Sequence, residues 1–111
     1  MDTATEFAAI QALHPSASLH TENKMPVVLL PNFKFRAGER SLQMTLLLHP
    51  SCHSGYATRL FFEQKLEGLG RTAHWTLHTV LSRSWWVFSW KDVMPEQPWI
   101  SILGAHLRAL S

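Results

Sequence analysis

The sequence Ser84-Trp85-Trp86-Val87-Phe88-Ser89-Trp90 holds three of the five tryptophans of the chain and one of its six phenylalanines. Each such ring buries roughly 150–250 Å², so in a short chain this stretch is expected to contact every other element. Trp85 and Trp86 are adjacent, and in an extended backbone their side chains point to opposite faces. One would then face the core, and the other a second layer or a partner.

The composition bounds the class of protein. The chain has 111 residues, of which 46% are hydrophobic and 16% are charged. This length fits a single domain over residues 1–111. The charged fraction is below the usual value of about 25%, which favours exposed apolar area and a protein partner. The net charge is only +2 and the basic residues are spread along the chain, so no nucleic-acid surface is predicted.

Cysteine usage and hydropathy indicate the setting. Cys52 is the single cysteine, which excludes an intramolecular disulfide and favours a reducing, cytoplasmic location. The first six residues lack the basic and apolar regions of a signal peptide. Apolar runs such as Val27–Leu30 and Leu46–Leu48 are far shorter than the roughly 20 residues that span a bilayer, so no membrane association is expected.

Two segments are predicted to be helical. In Thr5–Leu13, apolar residues recur at every third position and alanines lie between them. Thr3 or Thr5 is a candidate cap, and His14-Pro15 ends the helix because the residue before a proline avoids helical torsion angles. Trp99–Leu110 carries one apolar stripe, which predicts an amphipathic helix.

Between the helices, the pattern predicts an antiparallel meander of about four strands. Arg71–Leu81 fits either a helix or a strand, and the aromatic stretch 84–90 is expected to be irregular. Strands in sequence followed by a terminal helix indicate an α+β fold in which helices cover one face of the sheet. The predicted strands are an edge strand around Leu19–Thr21 with a turn at Asn23-Lys24, a buried strand Met25–Leu30 stopped by Pro31-Asn32, the strand Leu42–Leu48, and the strand Tyr56–Phe62.

Several features follow one another in a familiar order. They are Leu13-His14-Pro15 after the first helix, Asn32-Phe33 before a glycine turn, Gly55-Tyr56, Leu60–Leu66, the aromatic run with Phe88-Ser89-Trp90, and the final helix. This order resembles the ubiquitin-conjugating (UBC) fold, and more specifically short bacterial relatives of ubiquitin-conjugating enzymes. The resemblance covers most of residues 7–110. It implies a UBC-like domain in a ubiquitin-like conjugation pathway, with a ubiquitin-like modifier and its activating enzyme as partners and no cofactor.

The chain departs from that family at the position of catalysis. Ubiquitin-conjugating enzymes typically carry His-Pro-Asn and then a cysteine after the fourth strand. This chain has no asparagine after Asn32, and its single Cys52 precedes Tyr56. Two readings follow from the resemblance: a thioester carrier that uses Cys52, or a non-catalytic module that binds the modifier.

Candidate catalytic residues lie together in one stretch. A thiolate is the nucleophile in cysteine chemistry, and His49 or His53 is placed in sequence to act as its base. The alternative is a loop thiol with histidine neighbours by chance. The aromatic stretch likewise has two readings, a core or a partner-binding patch formed by Trp85, Trp86 and Trp90.

The seven histidines raise the question of a metal site. His49, Cys52 and His53 offer soft ligands, and His74 and His78 would share one face of a helix. No Cys-x-x-Cys pair and no His-Glu-x-x-His pattern is present, so no metal is predicted. A small His/Cys metal-binding protein is kept as the weaker alternative.

Overall fold

The computed structural model describes residues 2–53, 55–66, 74–88 and 93–110. Within these ranges the chain forms two helices and six strands, which confirms the predicted α+β class. The strands form one antiparallel sheet in the order β1-β2-β3-β4-β6-β5. In chain order the elements are α1 (Thr3–Leu13), β1 (Ser18–Glu22), β2 (Met25–Ala37), β3 (Arg40–His49), β4 (Arg59–Phe62), β5 (Trp75–Val80), β6 (Arg83–Phe88) and α2 (Trp99–Arg108).

Helix α1 begins two residues earlier than predicted. Its N-cap is Asp2 rather than Thr3 or Thr5, and the Asp2 carboxylate accepts hydrogen bonds from the Thr5 amide at 3.3 Å and the Thr5 hydroxyl at 3.0 Å. A carboxylate at this position satisfies an otherwise unpaired amide of the first turn. The predicted end is confirmed, since the helix stops at Leu13 and His14 is its C-cap.

The two helices contact each other through a side-chain cap. Helix α2 begins after Pro98, which supplies no side-chain hydrogen bond. The carboxylate of Glu6 on α1 accepts a hydrogen bond from the Trp99 amide at 2.9 Å. A negative charge at a helix N-terminus also interacts favourably with the helix dipole. Glu6 therefore fastens the N-terminal helix to the start of the C-terminal one.

We expect Glu6→Gln to lower the free energy of unfolding by about 1 kcal/mol, because the amide keeps a hydrogen-bond acceptor but loses the charge at the dipole. Urea denaturation followed by circular dichroism measures this change. Glu39→Gln, an exposed position in the turn between β2 and β3, is the matched control and should be neutral. Equal losses in the two variants would contradict the cap.

The first hairpin turn lies where it was predicted, but strand β2 is longer than predicted. The predicted turn at Asn23 and Lys24 is confirmed, with φ values of 50° and 67°. The predicted stop at Pro31-Asn32 is wrong, because the strand continues to Ala37 through a register shift between Leu30 and Phe33. A bulge accommodates a proline, which has no amide proton to give to the ladder. Asn32 adopts a φ of 50° there, and its carbonyl accepts a hydrogen bond from Gln43 at 3.2 Å.

The aromatic stretch is not irregular over its described part. Arg83–Phe88 forms strand β6, which pairs with β5 through a turn at Leu81 and Ser82. The ambiguous segment 71–81 is a strand over Trp75–Val80. The sheet therefore has six strands rather than about four. Ser89 and Trp90 lie outside the described residues.

The bounds of the two central strands also differ from the prediction. Strand β3 extends beyond 42–48 at both ends and includes His49. Strand β4 is limited to Arg59–Phe62, because Tyr56 forms an isolated bridge with His53 instead of joining the ladder. The two strands pair through four residues each, with His49 opposite Arg59.

The sheet separates two apolar clusters. On the helix face, residues of both helices pack on alternate positions of the strands; they include Ile10, Ile102, Leu103, Val28, Leu30, Leu46, Leu48, Leu60 and Phe62. On the opposite face, which we call the far face, the buried cluster consists of Val27, Leu47, Phe61, Val80, Trp85 and Val87. Because successive strand residues point to opposite faces, an almost wholly apolar strand can serve both clusters.

Candidate functional site

The loop between β3 and β4, residues 50–58, lies at one end of the sheet. A two-way backbone pairing shapes it: the His53 amide donates to the Tyr56 carbonyl and the Tyr56 amide donates to the His53 carbonyl, both at 2.9 Å. Gly55 within this turn has a φ of +85°, a conformation that residues with a Cβ rarely adopt. The turn returns the chain from the end of β3 to the start of β4.

Cys52 occupies this loop and its thiol is free and exposed. Its side chain makes no hydrogen bond to the described residues, so neither His49 nor His53 is paired with it. The structure instead brings the two histidines to each other, with ring centroids 5.1 Å apart in an edge-to-face arrangement. The predicted thiol–imidazole pair is therefore present as neighbours in the loop but not as a hydrogen-bonded dyad.

His49 ends strand β3 and is almost completely buried. Its Nδ1 lies 2.8 Å from the Ser51 carbonyl oxygen, which can only accept, so Nδ1 carries the proton. Burial lowers the pKa of His49 from its ordinary value, and the Ser51 carbonyl opposes this change. The ring is consequently neutral at neutral pH and its Nε2 is left as an acceptor.

His53 is half-buried and rests edge-on against Phe61, with ring centroids 5.2 Å apart. Burial, followed by the positive charges of His49, Arg59 and His78, lowers the pKa of His53 to about 4. The Nδ1 atom of His53 is buried without a hydrogen-bond partner among the described residues.

A third histidine joins this group from a distant part of the sequence. His78 lies on β5 opposite Trp85, and its ring centroid is 5.3 Å from that of His53. The sequence pattern paired His78 with His74 on a helix, whereas His74 precedes β5 and is exposed. The alternation of Trp75, Leu77 and Thr79 was the available signal that His78 belongs to the opposite face of a strand. We call His49, His53 and His78 the histidine cluster.

Arg59 completes the site from the first position of β4. It pairs with His49 in the ladder, and its guanidinium carbon lies 4.0 Å from the centre of the Tyr56 ring. Only 3% of its surface is exposed, and burial lowers its pKa. Sequence reasoning counted Arg59 among the dispersed bases and missed its burial.

A separate buried network fixes the end of this loop to α2. The Thr58 hydroxyl donates to the Val93 carbonyl at 2.7 Å. Because its only proton is used there, His106 Nε2 must donate to the Thr58 oxygen, 2.9 Å away. Burial, followed by the charge of Arg59, lowers the pKa of His106 to about 4.

The predicted partner-binding tryptophans are divided between the two faces. Trp85 is completely buried, and its indole N–H donates to the Val80 carbonyl at 3.0 Å. Trp86 is half-buried, with the ammonium of Lys65 lying 5.7 Å from its ring centre. Trp90 lies outside the described residues, so of the adjacent pair only Trp86 presents a ring to the surface.

Neither a cluster of metal ligands nor a membrane-spanning helix is present in the described residues. Over residues 2–53, 55–66, 74–88 and 93–110, no group of three or more histidine, cysteine or acidic side chains is placed to hold a metal ion. His49, Cys52 and His53, which the sequence offered as possible metal ligands, do not form such a group. No helix in the described ranges is long and apolar enough to cross a membrane.

In a comparison with known proteins, no protein-family model, curated protein or solved structure matches the chain significantly.

Proposed function

We propose that this chain is a ubiquitin-conjugating-enzyme-like component of a bacterial ubiquitin-like conjugation pathway, and that it accepts or binds the modifier at the loop 50–58. The observation that carries the proposal is the exposed thiol of Cys52 on a loop whose flanking histidines are anchored to the far face. The α+β architecture, with both helices on one face of an antiparallel sheet, agrees with the order of features that resembles the UBC fold.

In the carrier reading, Cys52 takes the modifier by transthiolation. The Cys52 proton passes to His49 Nε2, the Sγ thiolate attacks the carbonyl carbon of the modifier's thioester on the activating enzyme, and a new C–S bond forms. The old C–S bond breaks, and the thiolate of the activating enzyme leaves and takes up a proton. His49 is the candidate base because its Nε2 is left as an acceptor, whereas the pKa of about 4 makes His53 a weak base at neutral pH.

The second candidate is a non-catalytic module that binds the modifier or its activating enzyme. One observation favours it: the sulfur of Cys52 has no hydrogen bond to either histidine within the described residues, and both rings pack on Phe61 instead. A nucleophile and its base are usually within hydrogen-bond reach, although this contact often tightens only when the substrate is bound.

The two candidates are separated by incubating the protein with ATP and with a ubiquitin-like protein and activating enzyme from the genome that encodes it. The carrier reading expects a covalent adduct that thiol reductants remove and that Cys52→Ala abolishes. Ser51→Ala is the matched control in the same loop and should retain the adduct. Binding without an adduct supports the non-catalytic module. If the protein neither binds the modifier or its activating enzyme nor forms an adduct, both candidates are refuted.

A further inference from the structure

Arg59 is a buried cation without an anionic partner among the residues that the structure describes. It is 3% exposed, forms no ion pair with a carboxylate of the described residues, and its Nε atom has no hydrogen-bond partner there. Its guanidinium lies 4.0 Å from the centre of the Tyr56 ring and 6.0 Å from that of Phe61. A desolvated cation–π contact stabilises a guanidinium, but by less than the free energy that burying an unpaired ion costs. The aromatic contacts alone therefore do not balance the burial of this charge.

The ionisable groups around Arg59 are imidazoles with lowered pKa values, which are neutral at neutral pH and supply no countercharge. Burial is the main cause of the lowered pKa values of His49, His53 and His78, and the charge of Arg59 acts on all three in the same direction. On the helix side, His106 is affected in the same way. The carboxylate that acts on this group is Glu22 at the end of β1; it raises the pKa of His49 but lies in no ion pair with these residues.

A second unsatisfied atom lies in the same neighbourhood. His53 Nδ1 is buried without a hydrogen-bond partner among the described residues, although His53 and His78 are both partly exposed. Buried polar atoms are nearly always hydrogen-bonded in folded proteins, and these two unsatisfied atoms belong to side chains that both lie near the Phe61 ring, so one ligand can account for both. An oxyanion would supply oxygen acceptors to the guanidinium and to a protonated imidazole together.

We propose that Arg59 and the histidine cluster form a binding site for a small oxyanion, a carboxylate or a phosphate group. The planar guanidinium suits such ligands because it presents several N–H donors in a fixed plane. This site stands on the charge arrangement and does not depend on the conjugation role proposed above.

Proton linkage gives the site a characteristic pH dependence. A bound anion favours protonated imidazole, so binding raises the pKa of His53 from about 4 towards its ordinary value. By the same linkage, the affinity for the anion increases as the pH falls below neutrality while the fold persists. Glu22 attenuates this effect at His49, because its charge already favours the protonated ring.

The test is a titration of the intact protein with inorganic phosphate and, separately, with acetate at constant ionic strength, followed by the histidine side-chain NMR signals. We expect saturable shifts of His53 and His78 and none of His14, which lies on the helix face against Phe33. Stronger binding of phosphate identifies a phosphate group as the natural ligand chemistry, and stronger binding of acetate identifies a carboxylate. Thermal stabilisation alone is not the readout, because phosphate stabilises proteins non-specifically.

Variants link the shifts to the proposed atoms. Arg59→Gln should weaken phosphate binding by about tenfold or more, the effect of losing a charge-assisted hydrogen bond. Arg36→Gln removes the same charge from an exposed position of β2 and should leave the binding unchanged. If Arg59→Gln does not fold, His53→Gln decides, with an expected loss of binding of several-fold. The absence of saturable shifts in the wild type, or equal binding by His53→Gln, would overturn the proposal.

Discussion

Acidification from about pH 7 to about pH 4 is expected to reduce the free energy of unfolding by about 3 kcal/mol through His106 alone. This side chain is 2% exposed, and burial followed by the charge of Arg59 lowers its pKa to about 4. In the unfolded chain the imidazole takes up a proton near its ordinary value, 6.5. Between these two values the unfolded state binds more protons than the native state, so stability falls as the pH falls.

The direction is the same for the histidine cluster, because the pKa values of His49, His53 and His78 are all lowered. His53 is partly exposed, so its contribution is smaller than its pKa of about 4 would give for a buried ring. The loss of stability is therefore concentrated between about pH 6.5 and about pH 4, above the range in which most carboxylates titrate.

Urea denaturation at several pH values in this window measures the effect. His106→Gln keeps an amide donor for the Thr58 oxygen but removes the titration, so its stability should vary less with pH than that of the wild type. The exposed His74→Gln is the matched control and should follow the wild-type curve. If His106→Gln and the wild type lose stability in parallel, His106 is not the group responsible.

The second large effect is expected from the adjacent tryptophans. Trp85→Ala should reduce the free energy of unfolding by about 3–5 kcal/mol, because it opens a cavity in the far-face cluster. It also leaves the Val80 carbonyl without the indole proton, which adds to the loss. The side chain has no exposed surface from which water could replace either contact.

Trp86→Ala is the matched comparison, one residue away on the same strand. Its ring points to the helix face beside Leu77, which is 55% exposed, and contacts the ammonium of Lys65. We expect a loss of about 1 kcal/mol, since the ring is only half-buried. Chemical denaturation followed by far-ultraviolet circular dichroism compares the two variants without relying on tryptophan fluorescence.

Similar losses in the two alanine variants would contradict the assignment of Trp85 to the core and Trp86 to the surface. If Trp85→Ala does not fold, Trp85→Phe provides a milder change that keeps most of the ring volume and removes the N–H donor. Its expected cost is about 1–3 kcal/mol, the penalty for an unsatisfied buried carbonyl.

Local patterns located both helices and the first hairpin turn, although they placed the start of α1 two residues too late. The apolar stripe of 99–110 predicted α2, which ends at Arg108, two residues earlier than predicted, with Ile102, Leu103 and His106 buried as the spacing requires. His14-Pro15 ended α1, and Asn23-Lys24 formed the first hairpin turn with positive φ angles. These features depend on neighbours within a few residues, so the sequence by itself determined them.

Strand β6 and the full length of β2 were harder to infer. The four consecutive residues Trp85–Phe88 are all apolar, so the stretch 84–88 has no alternation of polar and apolar residues that would indicate a strand. A proline followed by asparagine ordinarily ends a strand, yet a bulge lets β2 continue through Pro31. In both cases the partner strands, which are not visible in the local pattern, supply the missing stabilisation.

For the candidate site, the sequence determined the thiol, the loop and the proximity of His49 to His53. Only the tertiary structure placed His78 beside His53, because the register of β5 against β6 and the single β4–β6 pairing at Phe62 and Trp86 set that contact. The burial of Arg59 was likewise invisible in the sequence. The sequence shows only that residue 59 is an arginine. The free energy of its charge depends on the groups that the fold packs around it.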